Sequence, residues 1–308
     1  MEQPQPRRLK PRVPAESART PGTSPSVASR ARAAFVVLFA AAASLGALGA
    51  LGCAAPVKNS PPPVPAAKAE GEDRPFHLEP PLHLAKADDA VVRIINDVAC
   101  TGTLIAEDLV LTAHHCVSAR DDQGRTLRRD LDPEDISIEL GGDYLPWGEV
   151  QVRAIVSPDC GYTAGDGDIA ILVLSRRLIG IPTLTPRLEE EPDAREPVVP
   201  VGFGRCALSR DGIQRERRLG GNVDAVAPSH FVAVASICPG DSGGPALSAG
   251  RGDVIGVISA SVMDGDENTA GTSHFTRLDV WRELFSAARE IADGASSSEL
   301  PPFRSCSR

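Results

Sequence analysis

Ten short runs rich in Val, Ile and Leu follow one another between residues 91 and 278. Gly, Pro, Asp and Asn residues separate them, which is the pattern of short strands joined by turns. The runs are Val91–Ile95, Thr103–Ile105, Leu109–Thr112, Ile136–Leu140, Val150–Ile155, Ile169–Leu174, Val198–Val201, Phe231–Ser236, Val254–Val262 and His274–Leu278. Strands this short and this evenly spread predict an all-β sandwich or barrel. Aromatic residues make up only 4% of the chain, so the core must be mostly aliphatic.

A single helix is predicted from Asp279 to about Ala292. Apolar residues recur there at helical spacing, namely Val280, Leu284, Ala288 and Ile291. Asp279 is expected to be the N-cap of this helix, and Gly294 is expected to end it.

The N-terminal part of the chain carries an export pattern. Residues 33–52 form an apolar run without a charge, and Arg30 and Arg32 precede it. The run ends in Ala-Leu-Gly-Cys, which resembles a bacterial lipobox with Cys53 as the lipidated residue. The alternative is an uncleaved membrane anchor, because about 20 apolar residues can span a bilayer. Both interpretations place the rest of the chain outside the cytoplasm, either anchored in the cell envelope or secreted.

By composition the chain divides into four parts. Residues 1–52 are the predicted signal or anchor, and residues 53–88 are a Pro- and Ala-rich linker that cannot bury enough apolar surface to fold. Residues 89–295 hold the predicted strands and helix, and residues 296–308 form a Ser-rich tail. The net charge of −9 disfavours nucleic acid as a partner. Membrane contact is expected only through the N-terminal lipid or anchor.

The seven cysteines fit an exported chain. If Cys53 carries a lipid, six remain, and an even number in an exported chain indicates disulfides. The sequence has no Cys-x-x-Cys pair, so no zinc site is predicted, and no cofactor is implied. The acidic residues of segment 264–268 fit calcium binding, but a solvated acidic loop explains them as well.

Segment 238–245, Cys-Pro-Gly-Asp-Ser-Gly-Gly-Pro, places a serine among glycines. Glycines at such positions permit a tight turn and a close approach to a ligand. The amides of Gly240 and Ser242 would then form an oxyanion hole beside the hydroxyl of Ser242. A serine hydroxyl is a weak nucleophile, so this chemistry also needs a base and a group that orients the base.

Two other segments offer these groups. His115 lies in the segment Leu-Thr-Ala-His-His-Cys, and Asp168 opens the apolar run of residues 169–174. Adjacent histidines are also found at metal sites or by chance. However, a hairpin closed by a disulfide between Cys100 and Cys116 would fix His115 beside a strand end. For Asp168 taken alone, an ordinary aspartate at a strand start fits equally well.

Together these segments resemble the chymotrypsin/trypsin family of serine endopeptidases over residues 89–292. The resemblance implies that Ser242 attacks the scissile carbonyl, with His115 as its base and Asp168 as the partner of the base. The amides of Gly240 and Ser242 would bind the oxyanion. It further implies two six-stranded antiparallel β-barrels with the site between them, a C-terminal α-helix, a monomer, and protein or peptide substrates.

The resemblance also implies a substrate pocket. Ser236 stands where trypsin-like members have an acid that binds Lys or Arg, and Ser261 and Ser273 stand in place of glycines. Ser259 begins the predicted pocket wall. The added side-chain atoms would narrow the pocket, which favours a small or medium apolar residue at P1.

Six cysteines allow fifteen connectivities, and the resemblance selects among them. The sixteen-residue interval between Cys100 and Cys116 matches the family, whereas the usual downstream partner of Cys238 is missing. The expected pairs are Cys100–Cys116, Cys206–Cys238 and Cys160–Cys306.

Activation is where the chain departs from the family pattern. The resemblance implies that a cleaved N-terminus similar to Ile-Val-Gly-Gly pairs with Asp241, but no such motif lies at the required distance before Cys100. We expect Arg205 to act as a built-in cation instead, unless this side chain is exposed. Cleavage within residues 74–90 is the other possibility.

Two further functions compete with the endopeptidase. A non-catalytic binding protein on the same fold is compatible with the missing activation motif, although such proteins typically lack a triad residue. An esterase is disfavoured, because the serine lacks the strand–nucleophile–helix elbow of α/β-hydrolases.

Overall fold

The computed structural model describes residues 86–142, 145–161, 166–205, 213–261 and 270–307. The described residues belong to one compact unit that spans Lys68–Arg308. The predicted signal, most of the linker, Cys53, Cys206 and segment 264–268 lie outside the described residues. None of the helices in the described part is both long enough and apolar enough to cross a membrane.

Fifteen strands are present in the described residues. In chain order they are β1 (Val91–Ile95), β2 (Ala99–Ala106), β3 (Leu109–Thr112), β4 (Ser118–Arg120), β5 (Thr126–Asp130), β6 (Ser137–Leu140), β7 (Gly148–Val156), β8 (Ala170–Leu174), β9 (Val198–Gly202), β10 (Glu216–Arg217), β11 (Gly220–Val226), β12 (His230–Ala235), β13 (Pro245–Ser248), β14 (Val254–Ser261) and β15 (Gly271–Arg277). Ten of them correspond to the ten predicted runs.

Six strands close into an antiparallel barrel in the order β1–β2–β3–β8–β7–β6. The ring closes because β1 pairs with both β2 and β6. All five residues of β8 are buried, since the strand borders the barrel core and also packs against the C-terminal helix. This is why the sequence of β8 is a continuous apolar run rather than an alternating one. The strands β4 and β5 form a separate hairpin outside the barrel.

Seven strands form a second, curled sheet in the order β10–β9–β13–β14–β15–β12–β11. Its two ends approach each other, since Pro197 beside β9 makes a single antiparallel bridge with Asn222 of β11. The all-β, chymotrypsin-like fold is therefore confirmed, with one difference in detail. Where a second six-stranded barrel was expected, the described residues form a sheet of seven strands. A single bridge joins its two ends, rather than a continuous ladder.

The C-terminal helix α1 spans Arg282–Ala292 and follows a 3-10 turn at Asp279–Trp281. The prediction of Asp279 as N-cap is wrong. Trp281 occupies the cap position, and the Asp279 carboxylate accepts a hydrogen bond from Arg277 at 2.6 Å instead. Gly294 follows the C-cap with a φ of +107°, a conformation that favours glycine and ends the helix.

One arginine connects α1 to the barrel. The Arg153 guanidinium on β7 donates to the carbonyls of Ile291 and Ala292 at 3.0 and 2.8 Å. These carbonyls lie at the negative end of the helix, where Ile291 O also accepts a hydrogen bond from Gly294 N at 3.1 Å. The contact holds α1 against β7 and β8.

Candidate active site

His115 lies at the end of β3. It occupies a 3-10 turn at His114–Cys116, and the disulfide between Cys100 and Cys116 ties this turn to β2. Asp168 lies two residues before β8, which is the neighbour of β3 in the barrel. Since Thr112 and Ala170 are paired across these two strands, their ends bring His115 and Asp168 together.

Asp168 holds His115 by two contacts. The imidazole Nδ1 of His115 lies 2.9 Å from Asp168 Oδ2, and its backbone N–H donates to Oδ1 at 2.9 Å. The Asp168 carboxylate is completely buried and also accepts a hydrogen bond from the Ser259 hydroxyl. Because a carboxylate only accepts, Nδ1 carries the proton and Nε2 is the basic nitrogen of the ring.

The pKa of Asp168 reflects two opposed effects. Burial alone would raise it, but the hydrogen bond and charge of His115, with the hydrogen bond of Ser259, hold the net pKa below its usual value of 3.8. The carboxylate therefore remains ionised at neutral pH.

Ser242 comes from the second sheet. It is half-buried in the turn that leads into β13, and its carbonyl accepts a hydrogen bond from Thr101 N at 2.8 Å. The Sγ atom of Cys116 lies 3.5 Å from this carbonyl oxygen and 3.7 Å from His115 Nε2. The structure thus brings Ser242 and His115 against the same disulfide.

The two proposed oxyanion amides are oriented by the carbonyls of the same peptide units. Pro239 O accepts a hydrogen bond from Arg205 N at 2.8 Å, and Asp241 O accepts one from Gly244 N at 2.9 Å. A trans peptide is planar, so the N–H of Gly240 and that of Ser242 point away from these acceptors. Neither amide donates to another atom within the described residues.

Gly240 and Gly243 give this turn its shape. Their φ angles are +103° and +83°, in the region that favours glycine. A Cβ at Gly243 would collide with the Thr112 hydroxyl and the carbonyl of Thr101. The glycines of the motif are therefore required by backbone conformation and by close approach to the first barrel.

The predicted pocket serines fall into two groups. Ser261 Oγ and Ser273 Oγ lie 3.0 Å apart across β14 and β15, and Ser273 also contacts the Ala235 carbonyl at 3.4 Å, next to Ser236. The Ser259 hydroxyl contacts Asp168 instead. The Ser259 side chain is thus a hydrogen-bond donor to the carboxylate that holds His115, and its place in a pocket wall stays a prediction.

Another correction concerns the cation beside Asp241. Arg205, which the sequence favoured, is exposed, and only its backbone N–H contributes to the turn. Arg218 is the residue that pairs with Asp241, with Nε 2.9 Å from Oδ2. No local signal distinguishes this residue in the sequence, because Arg215 and Arg217 lie in the same short segment.

The neighbouring His114 has a different environment from His115. Its Nε2 lies 2.7 Å from Asp130 Oδ1, and its buried Nδ1 has no hydrogen-bond partner in the described residues. This side chain is buried and contacts the β4–β5 hairpin, whereas His115 contacts Asp168.

The described structure contains the disulfides Cys100–Cys116 and Cys160–Cys306. Cys238 is also disulfide-bonded, and its expected partner Cys206 lies outside the described residues. The two groups with metal-like spacing in the described part are Cys100, His115 and Cys116, and Asp159, Cys160 and Cys306. Their sulfur atoms are in disulfides, whereas metal ions bind thiolates, so neither group is suited to a metal.

A family model described as Trypsin matches residues 86–283. The chain is 29% identical over 178 residues to the peroxisomal leader peptide-processing protease of Mus musculus, covering 56% of this chain and 27% of that protein. It is 28% identical over 214 residues to the cercarial protease of Schistosoma mansoni, covering 60% of this chain and 78% of that protein. The chain therefore spans only about a quarter of the length of the murine relative.

Solved structures share the fold at low sequence identity. A mutant of human heparin binding protein matches with a TM-score of 0.52 and 17% identity, over 68% of this chain and 93% of that one. A Glu endopeptidase matches with a TM-score of 0.53 and 16% identity, over 66% and 91% of the two chains. At these identities the likeness is one of fold alone.

Proposed function

The chain belongs to the trypsin family of serine proteases, and we propose that this endopeptidase cleaves peptide bonds through an acyl-enzyme on Ser242. The observation that carries the proposal is the pair formed by His115 and the buried Asp168, at 2.9 Å, beside the turn that holds Ser242. His115 Nε2 is the base for the Ser242 hydroxyl, and Asp168 stabilises the imidazolium that results.

The reaction proceeds in two halves. In the first, Ser242 Oγ attacks the scissile carbonyl, and the negative oxygen is stabilised by the amides of Gly240 and Ser242. His115 then protonates the leaving amine, which leaves an ester on Ser242. In the second half, His115 removes a proton from water and the water attacks the ester. His115 then returns the proton to Ser242 Oγ as the ester bond breaks and the acid product leaves.

The test of this function is covalent labelling of the full chain with diisopropyl fluorophosphate. We expect a single adduct, mapped by mass spectrometry to the peptide that contains Ser242. The matched control is the same chain after heat unfolding, which should remain unlabelled because an isolated serine hydroxyl is a weak nucleophile. A folded chain that takes no label would support the non-catalytic binding protein instead.

We further propose that the pocket formed by Ser236, Ser261 and Ser273 accepts a small or medium apolar P1 residue. The bridge between the Ser261 and Ser273 hydroxyls is formed by side chains where glycine would leave open space. Ser236 supplies no charge for a Lys or Arg side chain.

Replacing both Ser261 and Ser273 with glycine is expected to widen this pocket. The kcat/KM for a Phe P1 substrate should rise about 10-fold or more relative to an Ala P1 substrate, the discrimination typical of a few apolar atoms. Ser298→Gly in the exposed tail is the matched control. An unchanged Phe/Ala ratio in the double variant would contradict the assignment of the pocket.

Export and anchoring are also proposed, with lipidation at Cys53 and residues 54–88 as the tether. The disulfides of the folded part support an oxidising compartment. In a bacterial host, the wild-type chain should incorporate an alkyne fatty acid that Cys53→Ser abolishes. A membrane-bound wild-type chain without label would indicate the uncleaved anchor.

A further inference from the structure

Asp241 lies between the two residues that supply the proposed oxyanion amides. Its carboxylate is fully buried and accepts hydrogen bonds from the backbone N–H groups of Gly204 and Cys238, at 2.6 and 2.9 Å. A buried carboxylate without a cation carries a large desolvation penalty. The conformation of the turn therefore depends on which cation faces Asp241.

That cation is Arg218, which follows β10 and whose side chain is only 6% exposed. Its Nε lies 2.9 Å from Asp241 Oδ2, and its Nη2 lies 3.2 Å from Oδ1. The same guanidinium donates to the Gly204 carbonyl and, at 2.5 Å, to Glu216 Oε2. The backbone N–H of Arg218 donates to Pro200 O at 2.7 Å. The cation is thus fixed on several sides by the second sheet.

The surrounding backbone is shaped for this pair. A Cβ at Gly202 or at Gly204 would collide with the Asp241 side chain. With the carboxylate held in this position, the peptide units on both sides of Asp241 are constrained as well. Gly240 keeps its φ of +103°, and Pro239 O keeps the hydrogen bond that it accepts from Arg205 N. The N–H of Gly240 therefore points away from Arg205.

We propose that Arg218 is the positioning residue that orders the oxyanion turn, residues 238–243, in the uncleaved chain. The inference rests on the proposed function, because it concerns the amides that serve Ser242. The place at which the family resemblance puts an inserted N-terminus is occupied by Arg218, so cleavage within residues 74–90 is not required for activity.

The experiment compares three variants of the full chain. Arg218→Met removes the charge but keeps much of the apolar stem, and Arg218→Lys keeps a charge. Arg217→Met is the control, because Arg217 is one residue away and pairs with Asp88 at the surface, with half of its side chain exposed. Surface ion pairs of this kind contribute little to stability.

Arg218→Met should lower kcat by about 10²–10³-fold, the effect of losing one oxyanion donor, with a smaller change in KM. Arg217→Met should leave both unchanged.

The pH profile of Arg218→Lys activity distinguishes the proposed charge pairing from a merely structural role. A guanidinium stays charged at all working pH values, whereas an ammonium loses its proton in the alkaline range. The described groups that face Arg218 are the carboxyl groups of Asp241 and Glu216. Arg218→Lys should therefore recover much of the activity near pH 7.5 and lose it in an alkaline limb that the wild type lacks.

Hydrogen exchange measures the turn without reference to catalysis. The amides of Asp241, Gly243 and Gly244 all donate hydrogen bonds to backbone carbonyls. If Arg218 orders the turn, the amides of segment 238–244 should exchange faster in Arg218→Met and should be unchanged in Arg217→Met. If the wild type takes no label from diisopropyl fluorophosphate, the proposed function fails. If it is labelled and Arg218→Met matches it in labelling rate and exchange, the role of Arg218 is refuted. A large gain in wild-type activity after limited proteolysis in residues 74–90 would also refute it.

Discussion

Replacing Ser242 with alanine is expected to lower kcat for a peptide substrate by about 10⁶-fold, the loss seen when the nucleophile of such a triad is removed. Ser242 is half-buried, and its hydroxyl is the group proposed to form the acyl bond. The oxyanion amides and the pocket remain in the variant, so a residual acceleration of about 10³–10⁴-fold over water is expected. Substrate binding should change little, since the missing bond forms only in the transition state.

The measurement is kcat and KM for a chromogenic peptide, with the Tm of both proteins as the fold control. The main chain of Ser242 is held by Thr101 N at 2.8 Å, and that contact is independent of the side chain. The Tm should therefore stay the same within a few degrees. A variant that keeps more than a tenth of the wild-type kcat, in preparations free of other proteases, would show that Ser242 is not the nucleophile.

The sequence was most informative where aliphatic residues fill most of a strand. The bounds of β1 and β3 agree with their predicted runs to the residue. The strands β11 and β13 were not predicted for two different reasons. In β11 only Val223 is fully buried, so no apolar run marks it, and β13 is a short fully buried strand that begins at Pro245 directly after the glycine-rich turn.

The site shows the same division between local and tertiary information. The motifs around His115, Asp168 and Ser242 can be recognised because their chemistry needs particular neighbours in the chain. Ser259 and Arg218 cannot, because each acquires its role from a contact made far along the chain. Ser259 meets Asp168 from 91 residues away, and Arg218 meets Asp241 from 23 residues away. Only the curled sheet brings these side chains to their partners.

Replacing Asp168 with asparagine is the second substitution with a very large expected effect, a fall in kcat of about 10⁴-fold. In the wild type, the backbone N–H of His115 donates to Asp168 Oδ1 at 2.9 Å, and an asparagine oxygen could accept the same hydrogen bond, so the local geometry should persist. The amide NH₂ of the asparagine would then take the place of Oδ2, which lies 2.9 Å from His115 Nδ1 in the wild type. Two donors cannot share this contact, so the ring must place its proton on Nε2, where it can no longer accept the Ser242 proton.

Ser259→Ala is the matched control for this change. It removes one donor to the Asp168 carboxylate and leaves both the charge and the histidine tautomer in place, so a loss in kcat of only about 10-fold is expected.

The lowered pKa of Asp168 also fixes the sign of its pH dependence. Ionised Asp168 adds to the free energy of unfolding at pH values above 3.8. This stabilisation is lost only as the pH falls through the pKa of Asp168 in the folded protein, which lies below 3.8. Kinetics at pH 7.5 would therefore compare a wild type whose Asp168 is fully ionised with the uncharged Asp168→Asn variant, and equal kcat values would rule out the proposed role of this carboxylate.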